Sequence, residues 1–266
     1  MRTAAVSSEG IEGWAVRQLA DYDARRPGTM FADGVVLNVS EGYELQAAVA
    51  GLRCQRGERV IGYKVGCTSP AIRAQLGIDH SITGRLYDSE KHASGATLSR
   101  KTFANLAIEG ELAVELSREP ELGDFAGDLL PACVARVIPV IELHHLVMRG
   151  EAPSAGELIA NNAIHGGIVV GRGIYPKDVE RAAGAASLAL YSDDRLLEEC
   201  VGEVLLQTVA SSLQWLTEIV RERGERLSAG QIILTGSIPS LIPIEADCRL
   251  RVDSPPFGSV EASVVA

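Results

Sequence analysis

The sequence predicts an α+β protein with a helical N-terminal part and a β-rich core. The prediction rests on three observations. Up to Gly57 the apolar residues recur at helical spacing, and from Arg59 onward they fall into the runs and alternations of strands. These strand patterns do not alternate regularly with helices, which disfavours a doubly wound parallel sheet. The 266 residues, 46% hydrophobic and 23% charged, suffice for one large domain or for a core with a smaller appended segment. The expected division puts the helical part, with the strand that carries Lys64, at residues 1–78 and the β-rich core at residues 79–266.

Ile11, Trp14, Ala15, Leu19 and Tyr22 share one side of a first helix, ended by Pro27-Gly28. Ser40 is the expected cap of a second helix carrying Leu45, Ala48, Val49 and Leu52, stopped by Gly57. Arg59–Gly66 reads as a strand. Ser69-Pro70 then opens a short helix that Gly77 closes in the left-handed conformation. Further strands are expected at Ala107–Leu116, Val134–Leu143, Gly166–Val170, Ala186–Tyr191, Ile232–Thr235, Cys248–Asp253 and Ser259–Val265. Asp193-Asp194 suits a hairpin turn between Leu188–Tyr191 and Leu196–Glu199. One long helix interrupts the strands at Leu205–Arg223, with Leu213, Leu216, Ile219 and Val220 inward and Gly224 past its end.

A formal charge of −10 argues against nucleic acid or an anionic membrane as partner, since both reward a basic surface. It also means that an anionic substrate needs a local cation. No apolar run approaches membrane-spanning length, and MRTAAVSSEG lacks the apolar stretch of a secretory signal. The five cysteines are scattered, without a CxxC pair, as suits a reduced cytoplasmic protein.

The most informative local pattern is Ile108-Glu109-Gly110-Glu111-Leu112-Ala113-Val114. On a strand Glu109, Glu111 and Ala113 share one face, with Ile108, Leu112 and Val114 on the other. Two such carboxylates reach a common cation, and Gly110 leaves space behind them. Taken alone, the wet face of an amphipathic strand gives the same pattern. Glu142 stands in the apolar run Val137–Leu143, where an ionised carboxylate needs a partner or a metal unless the strand is just emerging at the surface. Lys64 is a lone cation inside Val60–Gly66; it is either an edge lysine whose stem snorkels or a cation beside the carboxylates. Three carboxylates suit hard, oxygen-preferring cations such as Mg²⁺ or Mn²⁺ better than Zn²⁺. His144, two residues after Glu142, reaches the same ion if the strand continues.

At these residues the chain resembles the hydratase/decarboxylase branch of the fumarylacetoacetate hydrolase family, 2-keto-4-pentenoate hydratases and 4-oxalocrotonate decarboxylases above all. The matching stretches are IGYKVGCTSPAIRAQLGI (Ile61–Ile78), GRL (Gly84–Leu86), IEGELAVEL (Ile108–Leu116), PVIEL (Pro139–Leu143), GGIVVG (Gly166–Gly171), LSAGQIILTGS (Leu227–Ser237) and FGSV (Phe257–Val260). They keep the family's order over most of the chain beyond Arg59.

The resemblance implies a mixed, twisted β-roll core of fumarylacetoacetate-hydrolase type and a homo-oligomer. It implies that Glu109, Glu111 and Glu142 bind Mg²⁺ or Mn²⁺, that Lys64 is the active-site lysine, and that Thr235, Gly236 and Ser237 lie near the substrate. The implied activity is that of a lyase on small anionic 2-oxo or 2-hydroxy-dienoates from aromatic catabolism. A hydratase adds water at C4 to give a 4-hydroxy-2-oxo acid; a decarboxylase expels CO₂ from a dienolate of the same kind. In both, Lys64 carries a proton or anchors a carboxylate, with burial lowering its pKa toward neutrality.

The sequence departs from the family at two places. Ile82 falls where hydratases usually carry an acid and decarboxylases an aliphatic residue, which favours the decarboxylase and leaves Asp79 or His80 as the nearest polar candidates for the substrate site. His165 stands where small polar residues are usual, and reads as a polar residue at a loop–strand junction sooner than as an acid/base. A third role consistent with the family is that of a non-catalytic partner subunit in a hydratase–decarboxylase complex, although the presence of all three glutamates and Lys64 argues against it.

Overall fold

The computed structural model describes residues 8–26, 28–126, 130–146, 153–174, 184–236 and 240–266. In chain order the elements are α1 (Ser8–Asp23), α2 (Thr29–Ala32), α3 (Val39–Gln55), β1 (Val60–Gly66), α4 (Pro70–Leu76), β2 (Ile82–Tyr87), β3 (Lys91–Ala93), β4 (Ala96–Ser99), β5 (Leu106–Leu116) and β6 (Val134–His145). There follow α5 (Ala155–Ala160), β7 (His165–Val170), β8 (Ser187–Ser192), β9 (Arg195–Val201), α6 (Val204–Glu222), β10 (Ile232–Leu234), β11 (Ile242–Pro243), β12 (Cys248–Ser254) and β13 (Gly258–Val265).

The N-terminal helices build a small core of their own from Ile11, Ala15, Met30, Leu37 and Leu45, closed by Ala160 of α5. Pro27, expected to end α1, lies outside the described residues; the helix stops at Asp23. Helix α3 is capped two residues before the expected Ser40. Its cap is Asn38, whose side chain accepts from the Glu41 N–H at 3.0 Å while Glu41 accepts from the Asn38 N–H at 2.8 Å. This reciprocal pair satisfies two otherwise orphaned donors, and an N-cap of this kind contributes about 1 kcal/mol. Helix α4 starts at Pro70 and closes on Gly77 at φ 66°, as expected, but Ser69 makes no side-chain cap bond.

Two sheets carry the rest. The larger has the order β2-β1-β10-β5-β6-β7-β3, with β11 added to β5, and mixes parallel pairs (β1 with β10, β3 with β7) with antiparallel ones. The smaller runs β4-β13-β12-β8-β9. The strand that carries Lys64 is paired within the large sheet, on one side to β10 and on the other to β2. Asp193 and Asp194 both adopt left-handed φ, as a two-residue hairpin turn between β8 and β9 requires.

The long β5–β6 ladder sorts the core by face. Ile108, Leu112, Val114, Ile141 and Leu143 point toward the smaller sheet, where they join Leu188, Leu190, Leu250, Val252 and Phe257, and toward Leu213 and Leu216 of α6. Gly110 permits this contact: a Cβ there would stand 3.2 Å from Val252 and 3.6 Å from Leu190. On the opposite, concave face a second apolar cluster of Leu86, Ala113, Ile138, Val140, Ile168, Ile232 and Leu234 fills one end of a curled sheet whose strands β2 and β7 approach each other. The other end of that face is polar. Among the described residues, no helix is long and apolar enough to cross a membrane.

Candidate metal and substrate site

Strand register assembles the polar end. Glu109 on β5 lies directly opposite Glu142 on β6, and Glu111 follows Glu109 on the same face. His144 follows Glu142 in the same way, opposite Ala107 on one side and His165 of β7 on the other. Lys64 arrives from β1, aligned through Leu234 with Ala113, and therefore on the face that Glu109 and Glu111 occupy. Its stem crosses to Glu142, where Nζ stands 2.9 Å from Oε1. His165 Nδ1 reaches the same oxygen at 2.7 Å. On the other side of the cluster, His144 Nε2 is 3.0 Å from Glu109 Oε2 and 3.6 Å from Glu142 Oε2. Glu111 Oε2 accepts the Gly236 N–H at 3.1 Å.

These groups are almost wholly removed from solvent: Glu142, Glu111, Lys64, His144 and His165 are all buried, with Glu109 partly open. Burial works against every charge here, and the neighbours decide which survive. Glu142 is held well below the usual carboxylate range because Lys64, His144 and His165 outweigh its burial. Glu111, buried and facing both Glu142 and Glu109, is pushed well above it. Burial alone lowers the Lys64 pKa, the effect expected from the sequence, but Glu142, Glu109 and Glu111 overturn it and the net shift is upward. Among these side chains alone, the carboxylates favour the ammonium form of Lys64.

A divalent cation fits this constellation on two counts. With all three carboxylates ionised, one ammonium leaves a formal charge of −2 in a buried place; without a counter-charge that state is strongly unfavourable, which is why Glu111 is pushed upward. In addition, Glu142 Oε2 has no hydrogen-bond partner among the described residues, although the side chain is fully buried. Such a carboxylate oxygen costs its full desolvation unless a cation takes it.

Lys64, Glu109, Glu111 and His144 of the cluster line a cavity of about 510 Å³. Beyond Lys64, Glu109, Glu111 and His144 the walls are largely apolar, with Ile72, Leu76, Ile82, Leu158, Ile164 and Leu241. One wall is strained: Asn162, Ala163 and Ile164 are three successive non-glycine residues at φ between 51° and 57°. A β-branched residue in this region is an outlier, and strain of this kind gathers at functional sites. Lys64 Nζ donates to the Ala163 carbonyl at 3.2 Å, so the strained segment also positions the ammonium. Gly84 makes room for both: a Cβ there would stand 2.6 Å from Asn162 O and 2.9 Å from Lys64 Cγ.

The structure brings together Lys64, Glu109, Glu111, Glu142 and Gly236. Thr235 is adjacent but committed to the sheet, its hydroxyl donating to Leu112 O at 2.7 Å and its carbonyl accepting from Ser212. Ser237 lies outside the described residues. Asp79 lines a neighbouring cavity with His80, Arg73 and Trp215, and its side chain is 97% exposed. Ile82, by contrast, lines the carboxylate cavity itself. His165, read from the sequence as a junction residue, is a direct partner of Glu142. Its signal was the alignment of β7 with β6, which a local pattern does not contain. His145 faces the other way, accepting the Ala104 N–H at 2.9 Å and packing against Tyr22 and Phe103.

Residues 88–265 match the family described as fumarylacetoacetate (FAA) hydrolase C-terminal. The chain is 30% identical over 224 residues to a 2-keto-4-pentenoate hydratase of Burkholderia vietnamiensis, an alignment that covers 83% of this chain and 84% of that one. It is 27% identical over 257 residues to a 4-oxalocrotonate decarboxylase of Pseudomonas sp, covering 95% and 93% of the two chains. The structure of 4-oxalocrotonate decarboxylase from Pseudomonas putida G7, complexed with magnesium and adipate, has the same fold, with a TM-score of 0.89 over 99% of this chain and 100% of that one at 23% identity.

Proposed function

This chain belongs to the fumarylacetoacetate hydrolase family, and from that premise we propose that it is a divalent-cation-dependent lyase acting on 2-oxo or 2-hydroxy-dienoates. The main reading is a 2-keto-4-pentenoate hydratase-like activity, which yields a 4-hydroxy-2-oxo acid. The observation that carries it is the buried constellation of three glutamates and one lysine, Glu109, Glu111, Glu142 and Lys64, beside a largely apolar cavity.

In this reading Glu109, Glu111 and Glu142 hold Mg²⁺ or Mn²⁺, oxygen donors that both cations accept. When bound, the cation supplies Lewis-acid stabilisation of the negative charge that develops on the substrate's C2 oxygen. The protein's own groups do the rest. Lys64 Nζ, kept charged by its carboxylates, anchors the substrate carboxylate or donates a proton to the dienolate carbon. Glu142 holds that ammonium in place through Oε1, and His165 holds Glu142. The Gly236 N–H fixes Glu111. The apolar wall from Ile72 to Leu241 receives the hydrocarbon part of the substrate and excludes stray water. A homo-oligomer, and association with a pathway enzyme, belong to the same reading; light scattering of the purified protein tests the first.

One observation favours a second reading, a 4-oxalocrotonate-type decarboxylase. Ile82 lies in the cavity wall where an acid would be needed to orient water, and an aliphatic side chain cannot do so. The experiment follows dienoate ultraviolet absorbance in metal-stripped protein before and after Mg²⁺ or Mn²⁺ is added, with product analysis. Cation-dependent formation of a 4-hydroxy-2-oxo acid supports the hydratase, and release of CO₂ the decarboxylase. Turnover that survives both chelation and Glu142→Ala would overturn the lyase reading.

A further inference from the structure

The two oxygens of Glu142 have different surroundings. Oε1 is engaged twice, by Lys64 Nζ at 2.9 Å and by His165 Nδ1 at 2.7 Å. Oε2 has no hydrogen-bond partner among the described residues and faces His144 Nε2 at 3.6 Å. That nitrogen is also 3.0 Å from Glu109 Oε2, so one imidazole nitrogen lies among the carboxylate oxygens that would hold the cation. We propose that His144 is a nitrogen ligand of this cation beside the glutamates, a donor set that shifts the site's preference from Mg²⁺ toward transition metals such as Mn²⁺ and Co²⁺. The proposal rests on reading the carboxylate cluster as a cation site.

Donor atoms of Glu109, Glu142 and His144 all lie within 4.8 Å of one another, a span that a single ion with bonds of about 2.0–2.2 Å draws together with small side-chain shifts. The position is built for an imidazole. His144 follows Glu142 on the same face of β6, is 1% exposed, and stands opposite Ala107, whose methyl group leaves the ring its space. Its Nδ1 has no hydrogen-bond partner among the described residues, so no second contact dictates which nitrogen carries the proton. Nε2 faces the Glu109 carboxylate as an N–H donor in the structure, and with that proton moved to Nδ1 or released its lone pair would turn on a metal. His165 differs: it reaches the oxygen already shared with Lys64 and so orients Glu142 from outside the donor set, the usual part of a group behind a ligand.

An imidazole among carboxylates changes the order of affinities. Mg²⁺ gains little from nitrogen, whereas affinity for an N/O site rises along the series from Mn²⁺ to Co²⁺ and Ni²⁺. The test uses the whole protein, stripped with chelator and reloaded with one equivalent of Mn²⁺. Electron spin-echo envelope modulation should show imidazole ¹⁴N coupling, replaced by the ¹⁵N pattern in protein grown on ¹⁵N-histidine. The coupling should be lost in His144→Gln and kept in His165→Gln. By calorimetry, the ratio of Co²⁺ to Mg²⁺ affinity should fall about tenfold or more in His144→Gln. If Mn²⁺ binds the wild-type protein in a Glu142-dependent way with no nitrogen coupling, His144 is not a ligand and the carboxylate site stands without it. Coupling that survives in His144→Gln and vanishes in His165→Gln would assign the nitrogen to the wrong histidine for this proposal. If folded wild-type protein binds no Mn²⁺ at all, the cation reading itself fails. Should His144→Gln not fold, the ¹⁵N-labelled wild-type protein and His165→Gln still decide the question.

Discussion

Two buried cations stand within the same molecule and solve opposite problems. Arg53, under the N-terminal helices, is 4% exposed, with Nη2 2.5 Å from both Glu58 and Glu90 and its guanidinium 3.6 Å over the Tyr87 ring. Arg56 adds a second positive charge to Glu58, Ser89 donates to the same carboxylate, and Tyr22 donates to Glu90. Two guanidiniums stand against the two carboxylates Glu58 and Glu90, so charge is matched, although Glu90 Oε2 has no hydrogen-bond partner among the described residues. Lys64 is as deeply buried, yet a single ammonium faces three carboxylates. A matched network holds helices to a sheet; an unmatched one is waiting for something that carries charge.

Four measurements test that contrast. The largest effect is expected from Lys64→Met, which should lower kcat by about 10²–10⁴-fold in the dienoate assay. An unchanged kcat would move Lys64 into the structural class with Arg53. Arg53→Met should cost about 3–5 kcal/mol of unfolding free energy in urea, because it leaves the buried Glu90 without a cation and takes one of two arginines from Glu58, while leaving kcat intact at a temperature where the variant is folded. Loss of turnover without loss of stability would erase the distinction from the other side.

His145 gives the contrast a pH signature. It packs on Tyr22 beside the Arg53 network, and burial, with Arg25, Arg53 and His165 nearby, lowers its pKa to about 4 from an ordinary value of 6.5. The unfolded chain therefore takes up a proton that the folded one refuses. Stability should be constant on this account above about pH 6.5, fall as pH drops from there to about 4, and level off below, by about 3 kcal/mol in all. A His145→Phe variant should lose this slope in urea titrations across that window; an unaltered slope would assign the loss to other groups. The smallest effect is expected at His165→Gln, where cation affinity measured by calorimetry should weaken about 10–100-fold while the fold is kept. Unchanged affinity would mean that Lys64 alone positions Glu142.

Much of the fold was legible because its longest strands carry unambiguous patterns. β5, β6, β12 and β13 begin and end within one or two residues of where alternation places them. β2 was not, since Thr83-Gly84-Arg85 interrupts its apolar run; Gly84 is small to make room for Lys64, and that reason lies on another strand. The same divide runs through the site. That Glu109 and Glu111 share a face follows from the period of a strand. That Glu109 meets Glu142, that Lys64 reaches across β10, and that His165 stands beside His144 all depend on register between distant segments. Nothing local accordingly pointed to the His165–Glu142 contact, and Asp79 was grouped with residues whose cavity it does not line, because nearness in sequence stood in for nearness in space.

The pairing of Glu109 directly against Glu142 reaches beyond the reaction. Like charges opposed across a ladder weaken it, so the β5–β6 hairpin closes against its own electrostatics until a counter-charge arrives. Each tenfold rise in free cation above its dissociation constant adds about 1.4 kcal/mol to the folded state, and proteases in a cell remove chains in proportion to how often they open. The standing amount of this protein should then follow the supply of its metal: starved cells would clear the unloaded chains, and what persisted would be the fraction ready to work.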